Sequence, residues 1–347
     1  MRAMLPTALT SFRALLRGLR DAHSADLRSR TYQTAAFNPP TMAPEVIPVR
    51  AQDGAQLRVH AYGPSDGQVI VLIHGWTCCL EYWNPQINAF AGEYRVIAYD
   101  QRGHGESEYG SSKLNIELLA DDLAAVLDAA LAPRQRAVLV GHSLGGMTMQ
   151  SWAGRYPERV EKQALAALLV NTAADRLILE TTLVPLLNRP LRLLQLKVPL
   201  PFLFGRLGLG TPIVFPPIAP VRWLFARQIL STAAKGDLLA FSMAIVRSCP
   251  AWVRSRFGVL LATMDVGESV RNLVVPTTVL AGQYDDMTPP VHSERIVEML
   301  RQTGSLMRYG VLPTGHLGNV EAYERFNAEL ARLLAAVRQR SRADLVG

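Results

Sequence analysis

Residues 137–146 read Ala-Val-Leu-Val-Gly-His-Ser-Leu-Gly-Gly, an apolar run that ends abruptly in a Gly-x-Ser-x-Gly turn around Ser143. The residues that follow have helical character and run to Pro157. A strand, a sharp turn and a helix in this order hold the serine backbone in a strained conformation and expose its hydroxyl. Gly141 and Gly145 flank the serine because neighbouring backbones must approach closely there. The stretch therefore predicts a nucleophile at Ser143.

Apolar strands alternate with helical stretches on both sides of this turn. The predicted apolar strands are 69–73, 95–99, 137–140, 166–171, 277–281 and 306–312, and a hairpin around Asp53-Gly54 precedes them. Strands that are apolar on both faces indicate a parallel sheet covered by helices on both sides. In such sheets the loops at the carboxyl ends of the strands build the functional site.

Composition limits the class of protein. The chain has 347 residues, 49% apolar and 19% charged, which suffices for one large domain or a core with an insertion. The net charge of +7 comes from scattered arginines, which argues against a nucleic-acid surface. The sequence contains no run of about eighteen apolar residues, so a membrane-spanning helix is not predicted. Oligomeric state has no sequence signal.

The three cysteines, Cys78, Cys79 and Cys249, cannot form a disulfide framework, and the adjacent pair lacks the spacing of a metal site. They are expected to be buried thiols in a reducing compartment, so a cytoplasmic location is expected, with peripheral membrane association as a second option. No metal cluster or dinucleotide-binding loop is present in the sequence, so no cofactor is expected.

Residues 1–45 are predicted to form a separate N-terminal unit, an amphipathic helix followed by a linker. Its apolar residues recur at helical spacing, while Arg13, Arg17 and Arg20 fall on the other side. Such a helix can pack on the body of the protein or bind a membrane surface, and its arginine-rich, acid-poor composition also resembles a transit peptide. The interval 34–48 contains four prolines and is predicted as the linker.

About a hundred residues between two predicted strands do not have sheet character, and residues 174–258 are predicted to be a cap or lid. The interval 181–236 contains no Asp or Glu but seven Lys and Arg residues, among many prolines and leucines. One interpretation is an apolar acyl-binding wall with a rim attracted to anionic lipid, which together with residues 1–40 would give peripheral membrane binding. The other is a packed subdomain with solvated arginines.

A serine nucleophile needs a histidine base and a carboxylate that orients it. His316 is the one histidine at the carboxyl end of a predicted strand after both Ser143 and the candidate carboxylate, in a glycine-flanked loop. Asp285 follows the strand 277–281 and is the preferred carboxylate. The order Ser, Asp, His is that of a hydrolase triad on this type of sheet. Three other carboxylates are weaker alternatives: Asp286, Asp265 and Glu268.

The oxyanion of an acyl-transfer reaction needs backbone N–H donors. Leu144, which directly follows the nucleophile at a helix start, is expected to supply one donor, and Trp76 is the best candidate for the second. His74 and Gly75 precede Trp76 and are expected to shape its loop, with His74 acting by hydrogen bonding rather than by proton transfer.

Six motifs together resemble the α/β-hydrolase fold superfamily, in its serine-nucleophile, esterase/lipase-like branch. They are Ile73-His-Gly-Trp76, Tyr99–Ser107, Gly141–Gly146, Tyr156–Val160, Gly282–Pro289 and Gly315-His316, within a span of about 46–336. The resemblance implies an eight-stranded, mostly parallel sheet flanked by helices, with a helical cap after the sixth strand. It also implies a core at 46–173 and 259–340, the Ser143, Asp285, His316 triad, and structural roles for Asp100, Arg102 and His104.

A serine at the turn excludes the branches of this superfamily that use an aspartate nucleophile, such as dehalogenases and epoxide hydrolases. The expected reaction is hydrolysis of a carboxylic ester with a hydrophobic acyl or alcohol part, through an acyl-enzyme. Carbon–carbon bond hydrolysis, cleavage of small amides, perhydrolysis and acyl transfer use the same three residues and stay open. A non-catalytic binding module is disfavoured because it would have a broken triad, and all three members are present.

Overall fold

Eight strands pair into one sheet, as predicted. In the computed structural model they are β1 Glu45–Arg50, β2 Gln56–Tyr62, β3 Val69–Ile73, β4 Arg95–Tyr99, β5 Ala137–His142, β6 Ala164–Val170, β9 Thr277–Gly282 and β10 Leu306–Leu312. The strand order is β1-β2-β4-β3-β5-β6-β9-β10. The pairs β1–β2 and β2–β4 are antiparallel, and every other pair is parallel. The expected eight-stranded, mostly parallel sheet is therefore confirmed.

The structure describes residues 25, 27–182, 192–193, 196–197, 219–231 and 236–346. The amphipathic helix predicted near the N-terminus and much of the proline-rich part of the predicted cap lie outside the described residues. Within the described part of the chain, no helix is both long enough and apolar enough to cross a membrane.

The helices in the described part of the chain cover the sheet and extend beyond it. They are α1 Asn84–Phe90, α2 Ile116–Ala130, α3 Leu144–Arg155, α4 Pro157–Gln163, α5 Leu177–Glu180, α6 Ala219–Ile229, α7 Gly236–Arg247, α8 Ala251–Thr263, α9 Pro290–Gln302, α10 Gly318–Glu321 and α11 Tyr323–Val346. Short 3₁₀ turns occupy 35–37, 80–83 and 269–272.

The two faces of the sheet form two separate cores. Along β3, Val69, Val71 and Ile73 face a core built with α2, α3 and α9, while Ile70 and Leu72 face a core built with α1 and α11. This follows from the period of two along a strand, which points successive side chains to opposite faces. Both faces are covered by helices, so the central strands are apolar. The polar residues follow directly after the strands, at the carboxyl edge of the sheet.

Between β6 and β9 the chain leaves the sheet and forms α5 to α8, together with a two-residue antiparallel pair, β7 Arg192–Leu193 and β8 Leu196–Lys197. This is the interval predicted as a cap. The predicted boundary between the cap and the core lies at 258–259, and helix α8 continues through it without a break. The division into domains stays a prediction.

The segment predicted as a linker is packed on the protein, and its last residues belong to β1. Phe37 is buried and stacks on Phe241 of α7, with ring centroids 4.9 Å apart, and Tyr32 meets the same ring edge-on at 5.5 Å. The backbone N–H of Thr34 donates to Asp237 Oδ2 at 2.8 Å. The prolines suggested an open connection, but Tyr32 and Phe37, which precede them, pack against Phe241 and anchor this part of the chain.

Arg102 is completely buried and joins three parts of the core. Its guanidinium donates to both oxygens of Asp122 in α2 at 2.7 Å, to Asp53 Oδ2 in the β1–β2 turn at 2.9 Å, and to the carbonyl of Tyr109 at 2.8 Å. These bonds hold the loop that follows β4 against a helix and a hairpin. This loop lies near the predicted catalytic residues, so the hydrogen bonds of Arg102 affect those residues only by stabilising the fold.

Replacing Arg102 with Ala should lower the free energy of unfolding by about 3–5 kcal/mol, because it leaves buried carboxylates without their cation. The control is Arg159→Ala, which breaks a solvent-exposed pair with Asp128 and should cost less than about 1 kcal/mol. Urea unfolding followed by circular dichroism measures both values. Equal losses in the two variants would contradict the structural role of Arg102.

Candidate active site

Ser143 lies at the carboxyl edge of the sheet, between β5 and α3, in a strained backbone conformation. Its φ is 52° and its ψ is −118°, and its N–H donates to the carbonyl of Val170 at 3.0 Å. A Cβ atom on Gly145 would overlap the carbonyl oxygen of Ile73, and one on Gly141 would lie 2.5 Å from Met149 Sδ. The flanking glycines thus allow β3, β5 and α3 to meet closely enough to force this turn.

His316 and Asp285 complete a continuous line of hydrogen bonds with this serine. The Ser143 hydroxyl lies 2.9 Å from Nε2 of His316, and Nδ1 of His316 lies 2.9 Å from Oδ2 and 3.0 Å from Oδ1 of Asp285. All three side chains are buried. The structure therefore brings together the three residues selected from the sequence, in the geometry of a nucleophile, a base and an orienting carboxylate.

The other candidate carboxylates do not contact His316 in the structure. Asp265 accepts the backbone N–H of Gly267, and Glu268 pairs with Arg271. The backbone carbonyl of Asp286 accepts the N–H of Thr182 at 2.8 Å. The carboxylate of Asp286 accepts a hydrogen bond from the Thr182 hydroxyl, so all three carboxylates have local structural contacts.

Asp285 is held by donors that the sequence analysis missed. Asn171 Nδ2 donates to Oδ2 at 2.8 Å, the Thr288 hydroxyl donates to Oδ2 at 2.7 Å, and the N–H groups of Met287 and Thr288 donate to Oδ1 at 2.9 Å. Burial alone would raise the pKa of Asp285, but the charge of His316 and these hydrogen bonds outweigh it and lower the pKa. The carboxylate stays ionised, as an orienting group requires.

A signal for Asn171 was present in the sequence. It directly follows β6, so it lies at the same sheet edge as Ser143 and Asp285, where polar side chains converge. No signal of this kind marked Thr288, because its contact depends on the path of the loop after β9.

The loop after β3 lies directly against the nucleophile. A Cβ atom on Gly75 would lie 2.7 Å from His142 Nδ1 and 3.1 Å from Ser143 Cβ, so only glycine permits this approach. The next residue is Trp76, whose indole N–H donates to the carbonyl of Arg254 in α8 at 3.2 Å. In the described part of the chain, no group accepts a hydrogen bond from the backbone N–H of Trp76 or Leu144. The assignment of these two N–H groups to an oxyanion stays a prediction.

His74 fixes this loop from inside. Its Nδ1–H donates to the carbonyl of Gly75 at 2.7 Å, and its Nε2 accepts the N–H of Gln101 at 2.9 Å. Burial lowers the pKa of His74 to about 4, more than the hydrogen bond to Gly75 raises it. A neutral ring with both nitrogens engaged in backbone contacts has a positioning role, as the sequence suggested.

His142 supports His316 through the main chain. It is buried beside the nucleophile, and its Nε2–H donates to the carbonyl of His316 at 2.8 Å. Burial and then the charge of His316 lower the pKa of His142 to about 3, so its ring is neutral.

The expected absence of a cofactor stays a prediction. Among the described residues, no group of three His, Cys, Asp or Glu side chains could hold a metal ion.

Comparisons with known proteins point to one fold family. Residues 68–195 match the family model described as the alpha/beta hydrolase fold. The RutD protein of Variovorax paradoxus is 30% identical over 285 residues, which are 81% of this chain and 97% of that protein. The 3-oxoadipate enol-lactonase 2 of Acinetobacter baylyi is 28% identical over 283 residues, or 80% of this chain and 92% of the relative.

Other matches are shorter. The bifunctional esterase/perhydrolase DCH of Acinetobacter calcoaceticus is 35% identical over 133 residues, or 37% of this chain and 48% of the relative. The chain thus spans about half the length of some curated relatives that it matches. The structure of a thermophilic esterase from Thermogutta terrifontis superposes with a TM-score of 0.62 at 22% identity, over 85% of this chain and 99% of that chain.

Replacing His142 with Gln should make stability less sensitive to acid. The folded protein keeps this ring neutral down to pH about 3, whereas the unfolded chain takes up a proton near pH 6.5, so stability falls as the pH drops between these values. Between pH 7 and pH 5 the wild-type protein should lose roughly 1–2 kcal/mol more than the variant. Urea unfolding at both pH values measures this difference, and an identical loss would contradict a neutral buried His142.

Proposed function

Since the chain belongs to the α/β-hydrolase fold family, we propose that it is a serine hydrolase that cleaves carboxylic esters with a hydrophobic acyl or alcohol part. The observation that carries the proposal is the unbroken line of hydrogen bonds from the Ser143 hydroxyl through His316 to Asp285. A non-catalytic binding protein would have no need for a buried, ionised carboxylate behind a histidine that contacts the serine hydroxyl.

In the first half of the proposed reaction, Ser143 Oγ attacks the carbonyl carbon of the ester while its proton passes to Nε2 of His316. The N–H groups of Leu144 and Trp76 stabilise the oxyanion that forms. The tetrahedral intermediate then collapses, the bond to the alcohol oxygen breaks, and His316 protonates that oxygen. Ser143 is left acylated.

In the second half, His316 takes a proton from water, and the resulting hydroxide attacks the acyl carbon. Collapse of this intermediate breaks the bond to Ser143 Oγ, which recovers its proton from His316, and the carboxylic acid leaves. Asp285 keeps Nδ1 protonated in both halves, so that Nε2 is free to accept a proton when needed.

A lactone is a cyclic ester, so the proposal includes lactones, and the name of the enol-lactonase relative favours their inclusion. Carbon–carbon bond hydrolysis, cleavage of small amides, perhydrolysis and transfer to another acceptor require the same three residues. Product analysis with alcohol or hydrogen peroxide as competing acceptors distinguishes these alternatives from simple hydrolysis.

Ser143→Ala should abolish ester hydrolysis and labelling by a fluorophosphonate probe, because the oxygen that becomes acylated is gone. We expect a loss of several orders of magnitude in kcat with an unchanged circular dichroism spectrum. The assay uses nitrophenyl esters of increasing acyl length, and octanoyl esters should be cleaved with higher kcat/KM than acetyl esters.

Ser65→Ala is the matched control, because Ser65 is exposed and distant from the sheet edge that carries Ser143. It should keep wild-type activity. Activity retained by Ser143→Ala, or labelling at another serine, would overturn the assignment of the nucleophile, whereas a preference for acetyl esters would overturn the hydrophobic substrate.

A lipid surface is the second part of the proposal, and the exposed face of α6 supports it. Trp223 is 65% exposed and Leu224 is 49% exposed, although both are large apolar side chains. Arg227, one turn later, is also exposed. Tryptophan, leucine and arginine on one helix face match the chemistry of an anionic membrane interface. The N-terminal part of this hypothesis lies outside the described residues.

Trp223→Ser with Leu224→Ser should weaken binding to vesicles of anionic phospholipid several-fold, because the apolar anchor is removed. Co-sedimentation with anionic and with zwitterionic vesicles measures the effect. Val46→Ser is the control, because Val46 is 66% exposed on the edge strand β1, away from α6. Equal sedimentation of wild type and double variant would exclude a lipid surface at α6.

A further inference from the structure

The end of helix α6 lies directly on the loop that carries His316. The backbone N–H of His316 donates to the carbonyl of Ile229, the last residue of α6, at 2.7 Å. A Cβ atom on Gly315 would lie 2.6 Å from that same carbonyl oxygen and 2.8 Å from Leu230 Cα. The glycine before the histidine therefore allows a contact between the main chain of the base and the predicted cap.

Glu321 joins the same two chain segments from the side. Its Oε2 accepts the backbone N–H of Gly315 at 2.8 Å, and its Oε1 accepts the backbone N–H of Ser231 at 2.8 Å. One carboxylate thus bridges the histidine loop and the residue that follows α6. Within the described part of the chain, these two hydrogen bonds do not involve Ser143 or Asp285, so the proposed chemistry leaves Glu321 without a role.

The side chain of Glu321 starts from a firmly anchored position. It is the last residue of α10, a short helix that directly follows the histidine loop. Asn319, in the same helix, accepts a hydrogen bond from the Tyr82 hydroxyl, and its carbonyl accepts one from Gln86 at 2.9 Å. Both partners are buried. The helix that carries Glu321 is therefore anchored to the core, and its carboxylate binds the backbone at Ser231 and at Gly315.

We infer that Glu321 is a positioning residue, which fixes His316 relative to Ser143 and links the position of the base to that of α6. The inference rests on the proposed function, because it assigns His316 the role of base. A carboxylate is suited to this task because each oxygen accepts one N–H, whereas an amide offers one acceptor oxygen and would oppose the second N–H with its own NH₂ group. Misplacement of a base by about 1 Å can cost about 100-fold in rate.

The test compares Glu321→Ala and Glu321→Gln with the wild-type protein, using the rate at which a small fluorophosphonate labels Ser143. A small probe reports the activation of the serine and makes few demands on the cap. Glu321→Ala should label roughly 10- to 100-fold more slowly, and Glu321→Gln should fall between that variant and wild type because it keeps one acceptor. For acetyl esters, kcat should fall by a similar factor with little change in KM.

Glu324→Ala is the control, because Glu324 is an exposed glutamate three residues later and should label at the wild-type rate. Thermal unfolding accompanies each measurement, and if Glu321→Ala does not fold, Glu321→Gln decides the question. Labelling of both Glu321 variants at the wild-type rate would overturn the inference, even if KM for long-chain esters changed. A wild-type protein that takes no label would instead overturn the proposed function, and this inference with it.

Discussion

The strained turn at Ser143 is the constraint on which the site depends. A non-glycine residue at φ 52° and ψ −118° costs about 1–3 kcal/mol and persists only where the surrounding structure imposes it. Here β3, β5 and α3 impose it, since Gly145 allows the backbone at Ile73 to come into direct contact. The buried parallel strands thus serve as a rigid base, and the serine projects from the edge at which every polar strand end meets.

The position of Asp285 at the same sheet edge allows neighbouring groups to stabilise its charge. Asp285 is buried, yet four hydrogen bonds from Asn171, Thr288 and Met287 stabilise its charge before any substrate arrives. Groups oriented in advance need little reorganisation when charge develops during a reaction.

His74 and His142 contribute to the site by positioning its loops and not by stabilising a charge. Both are neutral and buried, and both act on backbone atoms, so they fix loops without adding a competing proton donor or acceptor.

Apolar strands that end in polar residues could be predicted because their pattern is local, and so could Ser143, Asp285 and His316, each of which follows such a strand. The role of Glu321 could not be predicted, because its partners at 231 and 315 come together only where the end of α6 meets the histidine loop in the fold. The packed segment around Phe37 was missed for a related reason. Its prolines are a strong local signal, whereas its aromatic contact with Phe241 is made across the fold.

The contact between α6 and the histidine loop is made through the main chain, and this has a mechanistic consequence. The N–H of His316 is held by Ile229 and its carbonyl by His142, so the backbone of the base is fixed between the predicted cap and the residue before the nucleophile. Its ring nitrogens remain free for Ser143 and Asp285. A displacement of α6 would therefore move the whole residue without competing for its proton. A cap of this kind can influence the rate of reaction by geometry alone, in addition to selecting the substrate by its shape.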